Sequence, residues 1–182
     1  MNNNKKILLH VCCATCAAGC VETLREQGFE EIVFFEYNPN IFPFEEYEKR
    51  VFDLKRLSRM KGIPYHSLPY DHLVWLKEAG HLKDEKEGGK RCDLCFRLRL
   101  REAAKKAKEL DIGFFTSTLS ISPHKDFQRI CSIGRDAGQN AGVGFLAQDF
   151  KKKDGFKKSL ELSKKNDFYR QNYCGCEFSI RK

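Results

Sequence analysis

HVCCATC, residues 10–16, stands between the apolar run KKILLHV (residues 5–11) and the stretch AAGCVETLREQ (residues 17–27). The first run reads as a short buried strand, and the second as a helix that Gly28 terminates. Cys12, Cys13 and Cys16 therefore fall in a strand-to-helix turn. In an open parallel sheet that turn lies at the carboxyl end of a strand, where ligands bind and where the free N–H groups of the next helix favour anions. Three thiols at such a point are placed to become thiolates. Buried cysteines also behave as small hydrophobes, but adjacent residues point in different directions, which argues against core packing for both Cys12 and Cys13.

Outward from that turn the chain alternates. EIVFFEYNPN (31–40) predicts a strand, and Pro39 and Pro43 hold the loop after it out of helix. Residues 43–62 carry Phe44, Tyr47, Val51, Leu54 and Leu57 at helical spacing, with Gly62 as the stop. IPYHSLPY (63–70) is a third strand, and residues 71–90 are a helix or an irregular lid that runs out in KDEKEGGK. A long helix over 91–113, ended by Gly113, leads to a fourth strand, FFTSTLSIS (114–122). A helix over 126–142 and a fifth strand, VGFLAQDF (143–150), complete the alternation. The pattern predicts a single α/β domain over residues 1–182, with a mainly parallel five-stranded sheet and helices on both faces. The basic C-terminal segment with its YCGC cluster (150–182) is expected to pack on that domain, and CCATC, EYNPN, LPYD and SPHKD to meet at the carboxyl ends of the strands.

Composition narrows the class. In 182 residues, 41% hydrophobic and 32% charged, no apolar run approaches the roughly 18 residues of a membrane span. The start, MNNNKKILLHVCC, has a basic flank but too short an apolar part for a signal peptide, so cytoplasm is expected. Nine cysteines are an odd number, and in a reducing compartment cysteine clusters are more often metal or redox sites than disulfides. The net charge of +8, from 33 basic and 25 acidic residues, points to a polyanionic partner. The basic residues concentrate in 91–110 and 150–171, and acidic ones gather in 42–50. Such runs are also what a solvated helix face looks like; their place beside cysteine clusters favours nucleic acid.

A second pair, Cys92 and Cys95 in RCDLC, opens the long helix, where CxxC puts both sulfurs on one turn and suits a metal, a cluster or a reversible disulfide. Together with CCATC it can supply four thiolates to one centre. Cys174 and Cys176, in YCGC, form a third group, while Cys131 between Ile130 and Ser132 reads as core. Four thiolates hold zinc or an iron-sulfur cluster, and the spacing does not choose. Zinc would leave several thiols without a task, and surplus thiols beside a thiolate-bound centre favour redox chemistry.

In chain order, HVCCATC, EYNPNI, RCDLCFRLRL, TSTLSISPHKD and YCGCEFS, spanning about residue 5 to residue 179, resemble the cobalamin-independent epoxyqueuosine reductase family. Each motif alone is unspecific; the ordered set is highly specific. One departure is Thr15, where relatives commonly read CCAPC; that proline shapes the loop and ligates nothing. The resemblance implies a fold similar to the adenine-nucleotide α-hydrolase (PP-loop-like) domains and an iron-sulfur enzyme, without cobalamin. It implies reduction of the epoxide of epoxyqueuosine at the wobble position of tRNA, of the GUN anticodon class, to an alkene and water. That step takes two electrons and two protons, whereas a [4Fe-4S] cluster passes one electron at a time, so either a second redox centre or two separate deliveries from an external donor are needed, and a Lewis acid on the epoxide oxygen would make it a better leaving group.

On this chemistry Cys12, Cys13, Cys92 and Cys95 are expected to ligate the cluster. Cys16 is left to help a second adjacent iron or to act as a thiol at the substrate, and it can exchange roles with Cys12 or Cys13. Cys174 and Cys176 are expected as redox or substrate-side thiols. Asp71, after the third strand, is a candidate metal ligand or proton donor; as the plain alternative it caps the next helix. In SPHKD, His124 is a candidate proton relay and Lys125 an RNA contact, against a plain helix cap by Ser122 or Asp126. Tyr37, Asn38 and Asn40 suit a hydroxylated ring or nucleotide, though Asn beside Pro is also turn chemistry. Lys151 and Lys152 are expected to meet tRNA phosphates, and His10 to be a packed core group. Two other functions stay open: a PP-loop-type RNA thiolase or ligase, against which the cysteines stand where its phosphate loop would be, and a zinc-dependent nucleic-acid-binding module.

Overall fold

The computed structural model describes residues 5–180, so residues 1–4 and 181–182 of the expected 1–182 domain lie outside the described residues. Five strands, β1 (Lys6–Val11), β2 (Glu31–Glu36), β3 (Tyr65–Ser67), β4 (Phe114–Ser117) and β5 (Gly144–Phe145), form one sheet in the order β3-β2-β1-β4-β5, parallel throughout. β1 pairs along its whole length with β2, Lys6 opposite Glu31 and Val11 opposite Glu36. As the central strand it is apolar on both sides, which is what burial under two helical layers requires. Ile7, Leu9 and Val11 meet α1 (Ala14–Glu26), α2 (Phe44–Lys61) and α6 (Gly155–Lys165). Leu8 on the opposite face meets α3 (His72–Ala79), α4 (Lys90–Glu109) and α5 (Phe127–Ala141). The expected α/β architecture is therefore the one observed, and no helix among the described residues is long and apolar enough to cross a membrane.

Several element ends differ from the reading of the sequence, each for a local reason. α1 starts at Ala14 rather than Ala17, because Cys13 caps it: its sulfur accepts from the Cys16 N–H at 3.3 Å. α2 ends as expected at Gly62, which adopts the left-handed conformation (φ 62°). α4 ends at Glu109 and not at Gly113; Asp111 takes the left-handed conformation (φ 53°), and Ile112 N–H returns to the Ala107 carbonyl at 2.8 Å. The fourth strand stops at Ser117, whose hydroxyl accepts from the Leu119 N–H and starts a 3-10 turn over Thr118–Ile121. The fifth keeps only two residues.

α6 packs on α1 through small residues. A Cβ on Gly19 would lie 2.9 Å from the Ser159 side chain, and Thr15 shares a 2.7 Å hydroxyl contact with Ser163. Since Gly19 faces Ser159 while the earlier Thr15 faces the later Ser163, α6 runs antiparallel to α1. β1 lies between β2 and β4, so the strand order reverses direction there, and in open α/β sheets this switch point is where ligands bind.

Candidate metal centre and active site

The turn after β1 gathers three sulfurs. Cys12 N–H donates to Thr118 Oγ1 at 3.3 Å, which ties the turn to the end of β4 across the switch point. The Cys12, Cys13 and Cys16 sulfurs all lie within 4.8 Å of one another, close enough for one metal or cluster. Hydrogen bonding with Cys13 and then Cys16 holds Cys12 well below the usual thiol range despite its burial. The bond with Cys12, and burial, push Cys13 up to about 12 against the bond with Cys16, and bonding to both Cys12 and Cys13 pushes Cys16 well above its ordinary value. Gln171, from the C-terminal strap, donates its amide N–H to Cys13 Sγ at 3.0 Å.

A cavity of about 550 Å³ opens beside this turn, and cysteines from three parts of the chain line it: Cys12 and Cys16, Cys92 and Cys95, and Cys174 and Cys176. Cys92 and Cys95 lie in the first two turns of α4, where burial raises both thiols. Cys174 and Cys176 arrive on the strap, whose bend at Gly175 (φ 107°) passes so close to Ile41 that a Cβ there would be 2.9 Å from it. Arg50 fixes that strap: it donates to the carbonyls of Tyr173 and Cys174, each at 3.2 Å, and pairs with buried Glu46 at 2.7 Å. Hydrogen bonding with Cys176 lowers Cys174 to about 5 against the effect of burial, and Ser179 helps at 3.0 Å. The same bonding, together with burial, raises Cys176.

Not every expected residue reaches the cavity. Of the cysteines expected at one centre, Cys12 and Cys13 lie beside each other with Cys16 next to both, and Cys92 and Cys95 line the same cavity as Cys12 and Cys16. His124 and Lys125 line the cavity. Asp126, not Ser122, caps α5, accepting from the Arg129 N–H at 3.1 Å. Asp71 is an exposed cap for α3, accepting from the Leu73 N–H at 3.0 Å, and lies outside the cavity lining. Tyr37 is buried in the core. Asn38 is fully engaged: it donates to Val11 O and to Glu36, and accepts from Arg99. Asn40 does line the cavity, with its buried Oδ1 lacking any partner. Lys151 is held by the Lys125 carbonyl at 3.3 Å, and Lys152 is exposed. His10 is a core group, between Ser117 Oγ at 2.8 Å and Tyr37 O at 3.3 Å; burial, then Arg99, lowers it to about 3. Cys131 is buried, as expected.

Sequence reasoning missed Arg50, Arg99, Gln171 and Thr118. Six cations line the cavity, Arg50, Arg91, Arg99, Lys125, Arg129 and Arg170, against two carboxylates, Glu87 and Asp126. Six thiols facing this positive surround fit a thiolate-bound, anionic cluster, and a polyanionic substrate above it.

A parallel α/β domain with a thiol centre at its switch point is the class these features define. Two solved structures share the fold. The U34-tRNA thiolase NcsA from Methanococcus maripaludis with its [4Fe-4S] cluster matches at TM-score 0.57 and 11% identity, over 98% of this chain and 62% of that one. A "predicted subunit of tRNA methyltransferase" from Methanocaldococcus jannaschii matches at TM-score 0.53 and 13% identity, over 85% of this chain and 76% of that one. At such identities the likeness is one of fold alone. The family described as Epoxyqueuosine reductase QueH matches residues 7–182. Proteins of that name are 37% identical in Histophilus somni, over 99% of this chain and 74% of theirs, and 38% identical in Acinetobacter baylyi, over 99% and 83%. In Thermotoga maritima the figures are 34% identity over 96% and 90%. The chain belongs to the QueH family of epoxyqueuosine reductases, which are oxidoreductases.

Proposed function

We propose that this chain removes the epoxide oxygen of epoxyqueuosine in the anticodon wobble position of tRNA, of the GUN class, within the cavity at the switch point. The observation that carries this is the convergence of three separate cysteine groups on one cation-lined cavity. Cys12, Cys13 and Cys16 are the ligands assigned to a [4Fe-4S] cluster, with the fourth drawn from Cys92 and Cys95. Such a cluster supplies single electrons taken from an external donor. Cys174 and Cys176 stand on the substrate side: two thiols closing to one disulfide release two electrons and two protons. That is the amount an epoxide takes up in becoming an alkene and water, and the donor then restores the thiols.

The other residues bind. Asn40 Oδ1, buried and unpartnered at the cavity wall, accepts from a donor of the substrate; leaving it unpaired is worth about 1–3 kcal/mol, so a hydroxyl on the ring is read there. His124, Lys125, Arg129 and Arg170 face the phosphates that flank an unstacked nucleotide. The cytoplasm, where tRNA and reduced thiols occur together, is the compartment this chemistry needs. The test is incubation of anaerobically purified protein with epoxyqueuosine-bearing tRNA and a low-potential reductant, followed by nucleoside mass analysis. Loss of one oxygen to give queuosine is expected, and an intact epoxide with iron-loaded protein would overturn the reading.

A further inference from the structure

Arg99 is only 3% exposed, yet it lines the cavity. It follows Cys92 and Cys95 in α4 at helical spacings that put all three on one face. One of its N–H groups donates to Asn38 Oδ1 at 2.5 Å, and its Nε has no hydrogen-bond partner. It enters none of the ion pairs among the described residues, whereas Arg50 has Glu46 and Arg129 has Asp93. A buried guanidinium with no direct ion pair is unfavourable; buried Glu36, linked to it through Asn38, offsets part of that charge, and an anion in the cavity would offset the rest at the unpaired Nε. The field of Arg99 reaches both cysteine-bearing walls. Arg99 shares the cavity wall with Cys95, one turn earlier on α4, and Cys12 lines the same cavity.

We propose that Arg99 is the buried counter-cation of the cluster and a positioning residue for electron uptake. This rests on the reading of the cavity as a cluster site. Reduction adds one electron from the donor and breaks no bond, so the centre gains one negative charge. A fixed positive charge in a low-dielectric wall stabilises the reduced form more than the oxidised one, and so raises the reduction potential.

The test is a redox titration of the anaerobically purified, iron-loaded parent, Arg99→Gln and Arg99→Lys, followed by EPR and visible absorbance, with iron and sulfide assayed alongside. Arg99→Gln is expected to retain iron and to become about tenfold harder to reduce, a fall of about 59 mV for a one-electron couple. Arg99→Lys, which keeps the charge, is expected to stay within about threefold of the parent, on the same scale. Loss of iron from Arg99→Gln alone, with Arg99→Lys loaded and at the parent potential, supports the proposal as well. Three results overturn it: Arg99→Gln fully loaded at the parent potential, Arg99→Lys shifted as far as Arg99→Gln, or both variants devoid of iron, which would make shape and not charge the requirement. A parent that binds no cluster refutes the underlying reading instead, and its iron analysis reports that before any variant is compared.

Discussion

Arg50→Met should loosen the C-terminal strap and destabilise the whole domain. The Arg50 guanidinium is buried, pairs with Glu46 through Nε at 2.8 Å and Nη2 at 2.7 Å, and donates to the carbonyls of Tyr173 and Cys174. Methionine fills most of the volume but leaves Glu46 as a buried carboxylate with Tyr169 OH, at 2.6 Å, as its remaining hydrogen-bond donor. Breaking a buried pair by removing one partner costs about 3–5 kcal/mol, and two partly buried carbonyls lose their donors besides. For a chain of 182 residues each kcal/mol moves Tm by about 2–4 °C, so a loss near 4 kcal/mol lowers it by about 8–16 °C. Differential scanning calorimetry reads the shift, and timed alkylation reads the faster labelling of Cys174 and Cys176. Adding Glu46→Gln removes the stranded charge and should restore part of the loss, so the double-mutant cycle gives a clear coupling. A Tm within about 3 °C of the parent, roughly the effect of 1 kcal/mol, with labelling rates unchanged, would refute the view that Arg50 clamps the strap.

Cys12→Ser, Cys13→Ser and Cys16→Ser should each strip most of the bound iron and the brown absorbance, whereas Cys131→Ala, altered within the core, should keep both; full iron in Cys16→Ser would break up the triad as a ligand set. Replacing Lys152, Lys157 and Lys158 by Gln should weaken tRNA binding and flatten its salt dependence by roughly 0.7–0.9 in log–log slope for each phosphate no longer neutralised, with KM affected more than kcat. Filter binding across a salt series checks this; Lys151, already held by the Lys125 carbonyl, should contribute less than its exposed neighbours.

The alternation of strand and helix was legible because a parallel sheet covered on both faces needs strands with unbroken apolar runs, such as Ile7–Leu9 in KILLHV and Ile32–Phe35 in EIVFFE. The position of the cysteine turn followed from it. The start of α1 did not, since its cap is a cysteine and cysteine is outside the usual set of Ser, Thr, Asp and Asn. Nor did the end of α4, because Asp111 supplies the left-handed residue that Gly113 was expected to supply. The buried arginines were hidden for a different reason. Arg50 and Arg99 sit in helices rich in exposed charge, and composition reads them as part of a solvated face. The available signal was spacing: Arg50 lies four residues after Glu46, and Arg99 four after Cys95. Asn38 and Asn40 could not be told apart in the sequence; the fold ties up Asn38 in bonds to Val11, Glu36 and Arg99 and puts Asn40 in the cavity lining.

The convergence of the third cysteine group depends on one helix direction. The N-terminus of α1 lies at the carboxyl edge of the sheet, because β1 delivers the chain there, and the start of α4 with Cys92 and Cys95 opens on the same cavity. α6 differs: running antiparallel to α1, it carries the chain back toward Thr15, so that residues 166–180 emerge beside the cysteine turn. A helix laid parallel to α1 would have left YCGC at the far edge, remote from the other sulfurs. What lets the two helices approach so closely is the packing of small residues, with Gly19 against Ser159 and Gly155 and Thr15 against Ser163. The polar, unremarkable surface of α6 is therefore what brings Cys174, Cys176 and Gln171 to the centre. It also explains why Thr15, which ligates nothing, is tied to the strap by its hydroxyl, through the Tyr169 carbonyl at 3.2 Å.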